Sequence, residues 1–211
     1  MKDGLIWTAL YVGGYLLGSV MFSRLLPRLF MKKDICKLSD DGNPGSANVF
    51  KNCGVVMGMI CLLCDMAKGF VPVILAVIYL DIRSLWFAGL LAAPVLGHAT
   101  APFYHFHGGK CIATAFGEMI ALLPVSRIGL VLAGLYIFFS TVWKISPNRV
   151  RSLVTFGLFA LISTGWFFMT KEFALMAGCL SIALTAMFRH SKLVCEPAKR
   201  ARVETAKVSG S

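Results

Sequence analysis

The chain has 211 residues, 57% of them hydrophobic and only 15% charged, a net charge of +11 and a mean hydropathy of +0.75. A soluble domain is about half apolar and about a quarter charged, so this composition excludes an ordinary water-soluble fold and leaves room for roughly six to eight apolar spans of about 20 residues each. The surplus of basic residues flanks apolar runs and lacks the array of aromatics and arginines that reads bases, which excludes a nucleic-acid partner and makes membrane topology its first explanation.

In chain order, the first apolar run covers about Leu5 to Leu26. Asp3 replaces the basic start of a signal peptide and apolar sequence continues past any cleavage point, so an uncleaved span is expected. Further spans are predicted at about Val55 to Leu80, Leu85 to Thr100, a short Ile112 to Leu123, Ile128 to Trp143, Leu153 to Met169 and Phe173 to Phe188. The fold class is therefore all-α integral membrane, with about seven transmembrane helices. Residues 1–192 form one multi-pass domain, and 193–211 form a polar, disordered cytoplasmic tail. No internal repeat is evident, which counts against a transporter.

The connections alternate in charge. The short set, with the N-terminus, carries four basic residues (Lys2, Arg83, Arg127, Lys171), whereas the long set and the tail carry sixteen. The positive-inside rule places the long set in the cytoplasm and the N-terminus outside. Seven cysteines form no paired framework, and Cys61-x-x-Cys64 lies inside an apolar run, where packing is the default role.

Two long connections carry the chemistry. The first is Ser39-Asp40-Asp41-Gly42-Asn43-Pro44-Gly45-Ser46-Ala47-Asn48-Val49-Phe50-Lys51. Glycines let a backbone approach a ligand, and free N–H groups at a helix start favour an anion. Asn48 and Ser46 add neutral donors and Lys51 adds charge; a plain polar turn with a helix cap is the other reading. The second runs from Gly97-His98 through Pro102 to Phe106-His107-Gly108-Gly109-Lys110-Cys111-Ile112-Ala113-Thr114. Exposed amides and a lysine at Gly108-Gly109-Lys110 make a phosphate cradle. It is not a Walker loop, because Tyr104 stands where that motif needs glycine. His98 is an acid, a base or a phosphate donor, or a structural histidine at a helix end. His105 and His107 have no evident acidic or cysteine neighbour, so headgroup contact is preferred to metal.

Asp65 and Lys68 lie one helical turn apart inside a span, either as a mutual pair or as a wall of the site. The last span ends at Arg189-His190-Ser191-Lys192. Basic residues there suit lipid headgroups, the default reading, although His190 could also complete a polar cleft.

These segments resemble the bacterial membrane acyl-phosphate:glycerol-3-phosphate acyltransferase family, the PlsY-like enzymes. The likeness rests on Asp34-Ile35, then Gly42-Asn43-Pro44-Gly45-Ser46-Ala47-Asn48 and Lys51, then Gly97-His98, Pro102 and Phe106 to Thr114, over about the first 190 residues. The chain departs from the pattern in several places. The family serine of the first loop falls near Asp41, and Ser39 is the nearest hydroxyl. Lys51 replaces an arginine and Cys111 a glycine. The third motif is reduced to Arg189-His190, with Leu193 at its asparagine position and Glu196 too early for its glutamate.

The resemblance implies transfer of a fatty acyl group from acyl phosphate to glycerol 3-phosphate, giving lysophosphatidic acid, at the cytoplasmic face of a bacterial plasma membrane. The implied partners are the two substrates and membrane lipids, with no cofactor and no metal. It assigns the glycerol phosphate to Gly108, Gly109 and Lys110, and the acyl phosphate to the first loop, through Gly42, Asn43, Gly45, Ser46, Asn48 and Lys51. Thr114 and His190 complete the binding set, and His98 positions the acceptor or moves its proton. Because acyl phosphate is already activated, a Cys111 nucleophile is not required. A different donor such as a thioester, a different acceptor, or a non-enzymatic small-anion carrier are the alternative readings.

Overall fold

The computed structural model describes residues 2–191, and they are helical almost throughout. The helices are α1 (Lys2–Ser19), α2 (Phe22–Met31), α3 (Ile35–Leu38), α4 (Ser46–Cys53), α5 (Val55–Tyr79), α6 (Leu85–Thr100), α7 (Ile112–Ala121), α8 (Ile128–Thr141), α9 (Asn148–Met169) and α10 (Phe173–His190), with a 3₁₀ turn at Pro102–Tyr104 after α6. The tail expected at 193–211, with Leu193 and Glu196, lies outside the described residues.

All seven predicted apolar runs are helical, but they are unequal. Four helices, α5, α6 with its 3₁₀ extension, α9 and α10, are long and apolar enough to cross a membrane, and α1 with α2 makes a fifth candidate bent by 48°. At a rise of about 1.5 Å per residue, α7 and α8 are only about 15 and 21 Å long, short of a bilayer core of about 30 Å. The first run is thus a helix pair bent at a short break, which passes as one span only when the two halves are taken together. The break falls at Val20 and Met21, where Gly18 lies against the backbone of Pro94. The Val20 carbonyl accepts a 2.6 Å hydrogen bond from Lys68 Nζ.

Small residues set the helix crossings. A Cβ on Gly97 would collide with the Tyr15 carbonyl of α1, and one on Gly117 with the Met66 carbonyl of α5, so α1 packs on α6 and α5 on α7 at backbone contact. Close packing replaces the hydrophobic effect as the glue between helices in lipid. The apolar core threads between these helices through Phe87, Leu90, Leu91, Phe156, Phe159 and Ile182. Outward, Leu63, Ile78, Trp86, Ile137, Leu161 and Trp166 are exposed, as a lipid-facing surface requires.

Inside, Asp65 and Lys68 are both 1% exposed and pair at 3.0 Å. Ser23 Oγ donates to Asp65 Oδ2 at 2.5 Å. The mutual pair is thus present, and Asp65 also reaches the wall of the cavity described next.

Candidate active site

The two long basic connections meet at one end of the bundle around a cavity of about 450 Å³. Each local sequence places its part. In the first connection, Asp34 caps α3 by accepting from the Cys36 amide. The chain then turns through Gly42, whose φ of +66° suits glycine, and enters α4 from an extended Gly45. Gly45, Ser46 and Asn48 of this segment line the cavity, as does Asn43. Gly54, at φ +85°, lets α4 turn straight into α5.

In the second connection, Gly108 and Gly109 lie against the end of α6. A Cβ on Gly108 would strike the carbonyls of His98 and Ala99, and one on Gly109 the His98 ring. The Gly109 amide donates to the His98 carbonyl at 3.0 Å. Arg189 closes the loop from the other side: Nε donates to the Gly109 carbonyl at 3.0 Å, and Nη2 donates to the Gly108 carbonyl. The predicted cradle of exposed glycine amides is therefore corrected. Gly108 and Gly109 are buried packing surfaces behind the cavity wall, and their neighbour Lys110 is the group that reaches the cavity. The headgroup role expected of the α10 terminus is corrected in the same way. Arg189 turns inward onto this loop, and His190, 1% exposed, lines the cavity.

His98 is 4% exposed and also lines the cavity. Its Nδ1 is 3.3 Å from Thr114 Oγ1 on α7, a contact that fixes the ring plane with either tautomer. Cys111 follows at φ +63°, in the left-handed region, and starts α7. Its buried thiol lies 3.4 Å from the Val95 carbonyl. Burial pushes that thiol up to about 12, so it stays protonated and is a poor nucleophile.

The two connections are tied together by Lys110, whose Nζ is 2.6 Å from Asp41 Oδ2. Asp41 Oδ1 accepts from the Asn43 amide at 3.1 Å and from Asn48 Nδ2 at 3.0 Å. Burial by itself would raise the Asp41 carboxyl. The hydrogen bond and charge of Lys110, with the Asn43 and Asn48 bonds, outweigh it and hold the group below the ordinary aspartate range. Asp40 turns the other way and pairs with Lys51 at 2.8 Å, with side chains 87% and 65% exposed. Lys51 therefore stands apart from the cavity lining to which its motif position assigned it.

Sequence reasoning missed the wall contributed by α8 and α9. Tyr136, Asn148, Arg151 and Ser152 line the cavity, and the Arg151 guanidinium lies 5.4 Å from the centre of the Tyr136 ring. A signal was present: after Pro147, Arg151 and Ser152 follow Asn148 at spacings of three and four, one polar face on the first turns of an otherwise apolar helix. Leu62, Met66, Ile112 and Phe116 add apolar lining to the same cavity, with the Phe116 ring edge-on to Tyr136 at 5.6 Å. Among the described residues, no group of three or more His, Cys, Asp or Glu side chains converges as a metal site.

Cationic, amide and apolar side chains thus share the lining of one cavity within a membrane bundle. Residues 8–195 match the family model described as glycerol-3-phosphate acyltransferase. This chain belongs to that family. Among curated relatives with the same description, it is 31% identical to the protein of Halalkalibacterium halodurans, over 86% of both chains. It is 35% identical to that of Geotalea daltonii, over 86% of this chain and 88% of the relative. The fold is similar to a crystal structure of PlsY, an integral membrane glycerol 3-phosphate acyltransferase, in its lysophosphatidic acid form, with a TM-score of 0.73 and 27% identity over 89% of each chain. A glycerol 3-phosphate form of PlsY matches with a TM-score of 0.74 and 25% identity, over 96% of this chain and 92% of that one. The protein is accordingly an integral membrane acyltransferase, as the sequence motifs implied.

Proposed function

We propose that this protein moves a fatty acyl group from acyl phosphate to glycerol 3-phosphate and releases lysophosphatidic acid. The observation that carries the reading is that Lys110, Asn48, His98 and Arg151 line the same cavity as the apolar Leu62, Met66, Ile112 and Phe116. That union suits an anionic headgroup and an acyl chain bound side by side. The glycerol hydroxyl attacks the acyl carbonyl, a new ester C–O bond forms, and the bond from carbonyl carbon to phosphate oxygen breaks. The hydroxyl proton passes to His98 or to phosphate, and inorganic phosphate leaves. Because the donor is already activated, the protein's work is to hold two anionic groups close and to orient the hydroxyl.

In this scheme Lys110 and Asn48 hold one phosphate, aided by Asn43, Gly45 and Ser46 at the start of α4. Arg151, Asn148, Ser152 and His190, which also line the cavity, take the other. Thr114 orients His98. Gly42, Gly108 and Gly109 shape the two loops, and Lys51 draws anions toward the mouth. The acyl chain lies along Leu62, Met66 and Phe116.

The protein sits in the bacterial plasma membrane with its N-terminus outside and the cavity facing the cytoplasm. The basic connections support this, since they gather at the cavity end. Reporter fusions at the two termini test the topology.

The decisive assay supplies acyl phosphate and glycerol 3-phosphate to the detergent-purified protein, beside acyl thioester donors. Lysophosphatidic acid is expected from acyl phosphate. If no donor gives product, and Lys110→Ala changes nothing in any acyl-transfer assay, the assignment is wrong. Product from the thioester alone would move the activity to another donor class.

A further inference from the structure

A cavity built for phosphate gains nothing obvious from a carboxylate, yet Asp41 stands in its lining. The side chain is 33% exposed and its partner Lys110 24%, so both ions remain within reach of water. Their donors are arranged as for a bound anion: one carboxylate oxygen sits on the Lys110 ammonium, and the other on the Asn48 side-chain amide and the Asn43 backbone amide. Lys110 and Asn48 are the groups the proposed reaction needs for a phosphate. The neighbouring Asp40 is turned out onto Lys51, so the fold directs only one of two consecutive aspartates into the cavity.

We infer that Asp41 is a resident anion that an incoming phosphate displaces from Lys110 and Asn48, so that affinity for the phosphorylated substrate is set by competition with the protein's own carboxylate. The inference rests on the proposed reaction only for the identity of the substrate; the competition itself needs only an anion that seeks the same donors. Displacement is feasible because both ions of the pair keep access to water, whereas Asp65 and Lys68 are almost wholly buried. Once displaced, the carboxylate remains beside a phosphate of like charge, which weakens binding relative to a neutral residue.

The test is equilibrium binding of inorganic phosphate to the full chain in detergent, by calorimetry, for the wild type, Asp41→Asn, Asp41→Ser and Asp40→Asn. Asparagine keeps an oxygen for the Asn43 and Asn48 donors, removes the charge and releases Lys110, because its NH2 group cannot accept from the ammonium. Binding by Asp41→Asn is expected to tighten about tenfold or more, with Asp41→Ser moving in the same direction and Asp40→Asn shifting it less than twofold. Melting curves on the same samples show which variants fold, and either Asp41 variant suffices. Weaker or unchanged binding in the folded Asp41 variants would overturn the inference and make Asp41 a positioning residue for Lys110. Equal tightening by Asp40→Asn would also overturn it, by reducing the effect to net charge. Absence of acyl transfer with the binding pattern intact would sink the proposed reaction alone.

Discussion

Two aspartate–lysine pairs of nearly the same length do different work in this protein. Asp65 and Lys68, at 3.0 Å, are almost wholly buried and hold the bent first helix pair through Ser23 and the Val20 carbonyl. Asp41 and Lys110, at 2.6 Å, are partly exposed and join two loops across a cavity. The chemistry of the pairs is the same, and their surroundings decide the difference. A buried ion that loses its partner has no water to replace it, whereas a partly exposed ion exchanges partners readily. The first pair is therefore suited to holding architecture and the second to being opened by a ligand.

Breaking the buried pair on one side is the largest effect expected. Asp65→Ala leaves Lys68 uncompensated at a cost of about 3–5 kcal/mol, and the monodisperse peak on size exclusion should be lost or its melting temperature sharply lowered. The double change Asp65→Leu with Lys68→Met should be less destabilised than either single one. If the singles unfold no earlier than the wild type, the contrast between the pairs is wrong.

Lys110→Ala should do the reverse. Acyl transfer is expected to fall about 100-fold or more, the order seen when one positioned donor to a developing anion is removed. The melting temperature should move by no more than about 4 °C, since a partly exposed pair contributes about 0–1 kcal/mol. A collapse in stability of the size expected for Asp65→Ala would erase the distinction.

The Asp41 pair also has a pH signature. Its carboxyl is held below the unfolded value, so its contribution is fully present above the ordinary aspartate value of about 3.9 and is lost as pH falls through the depressed folded value. The difference in melting temperature between wild type and Asp41→Asn should be constant above about pH 5 and shrink under more acidic conditions. A difference that grew on acidification would contradict the sign. The smallest effect belongs to the third pair. Lys51→Ala should lower kcat/KM modestly at low ionic strength, and the loss should fade as salt rises. A salt-independent loss would place Lys51 in direct contact with substrate.

Much of this was readable in the residues. Apolar runs and basic flanks gave a membrane bundle, and the order Gly97-His98, Gly108-Gly109-Lys110 and Gly42 to Asn48 pointed to the family and to most of the cavity wall. The direction of side chains was not readable. Asp40 and Asp41 are neighbours with identical chemistry, yet one faces water and the other Lys110. Arg189 looked like a headgroup ligand because basic residues at a span end usually are, and the carbonyls of Gly108 and Gly109 that claim it lie some eighty positions away in sequence.

The sequence by itself determined that the chain must lie in a bilayer and which family its polar loops mark, because hydropathy and motif spacing are local properties. Only the tertiary structure decided that the glycines are packing surfaces, that α9 supplies Arg151 to the cavity, and that Asp41 rests on Lys110. Those outcomes depend on which distant backbone or charge each residue meets, and a linear pattern does not encode that meeting.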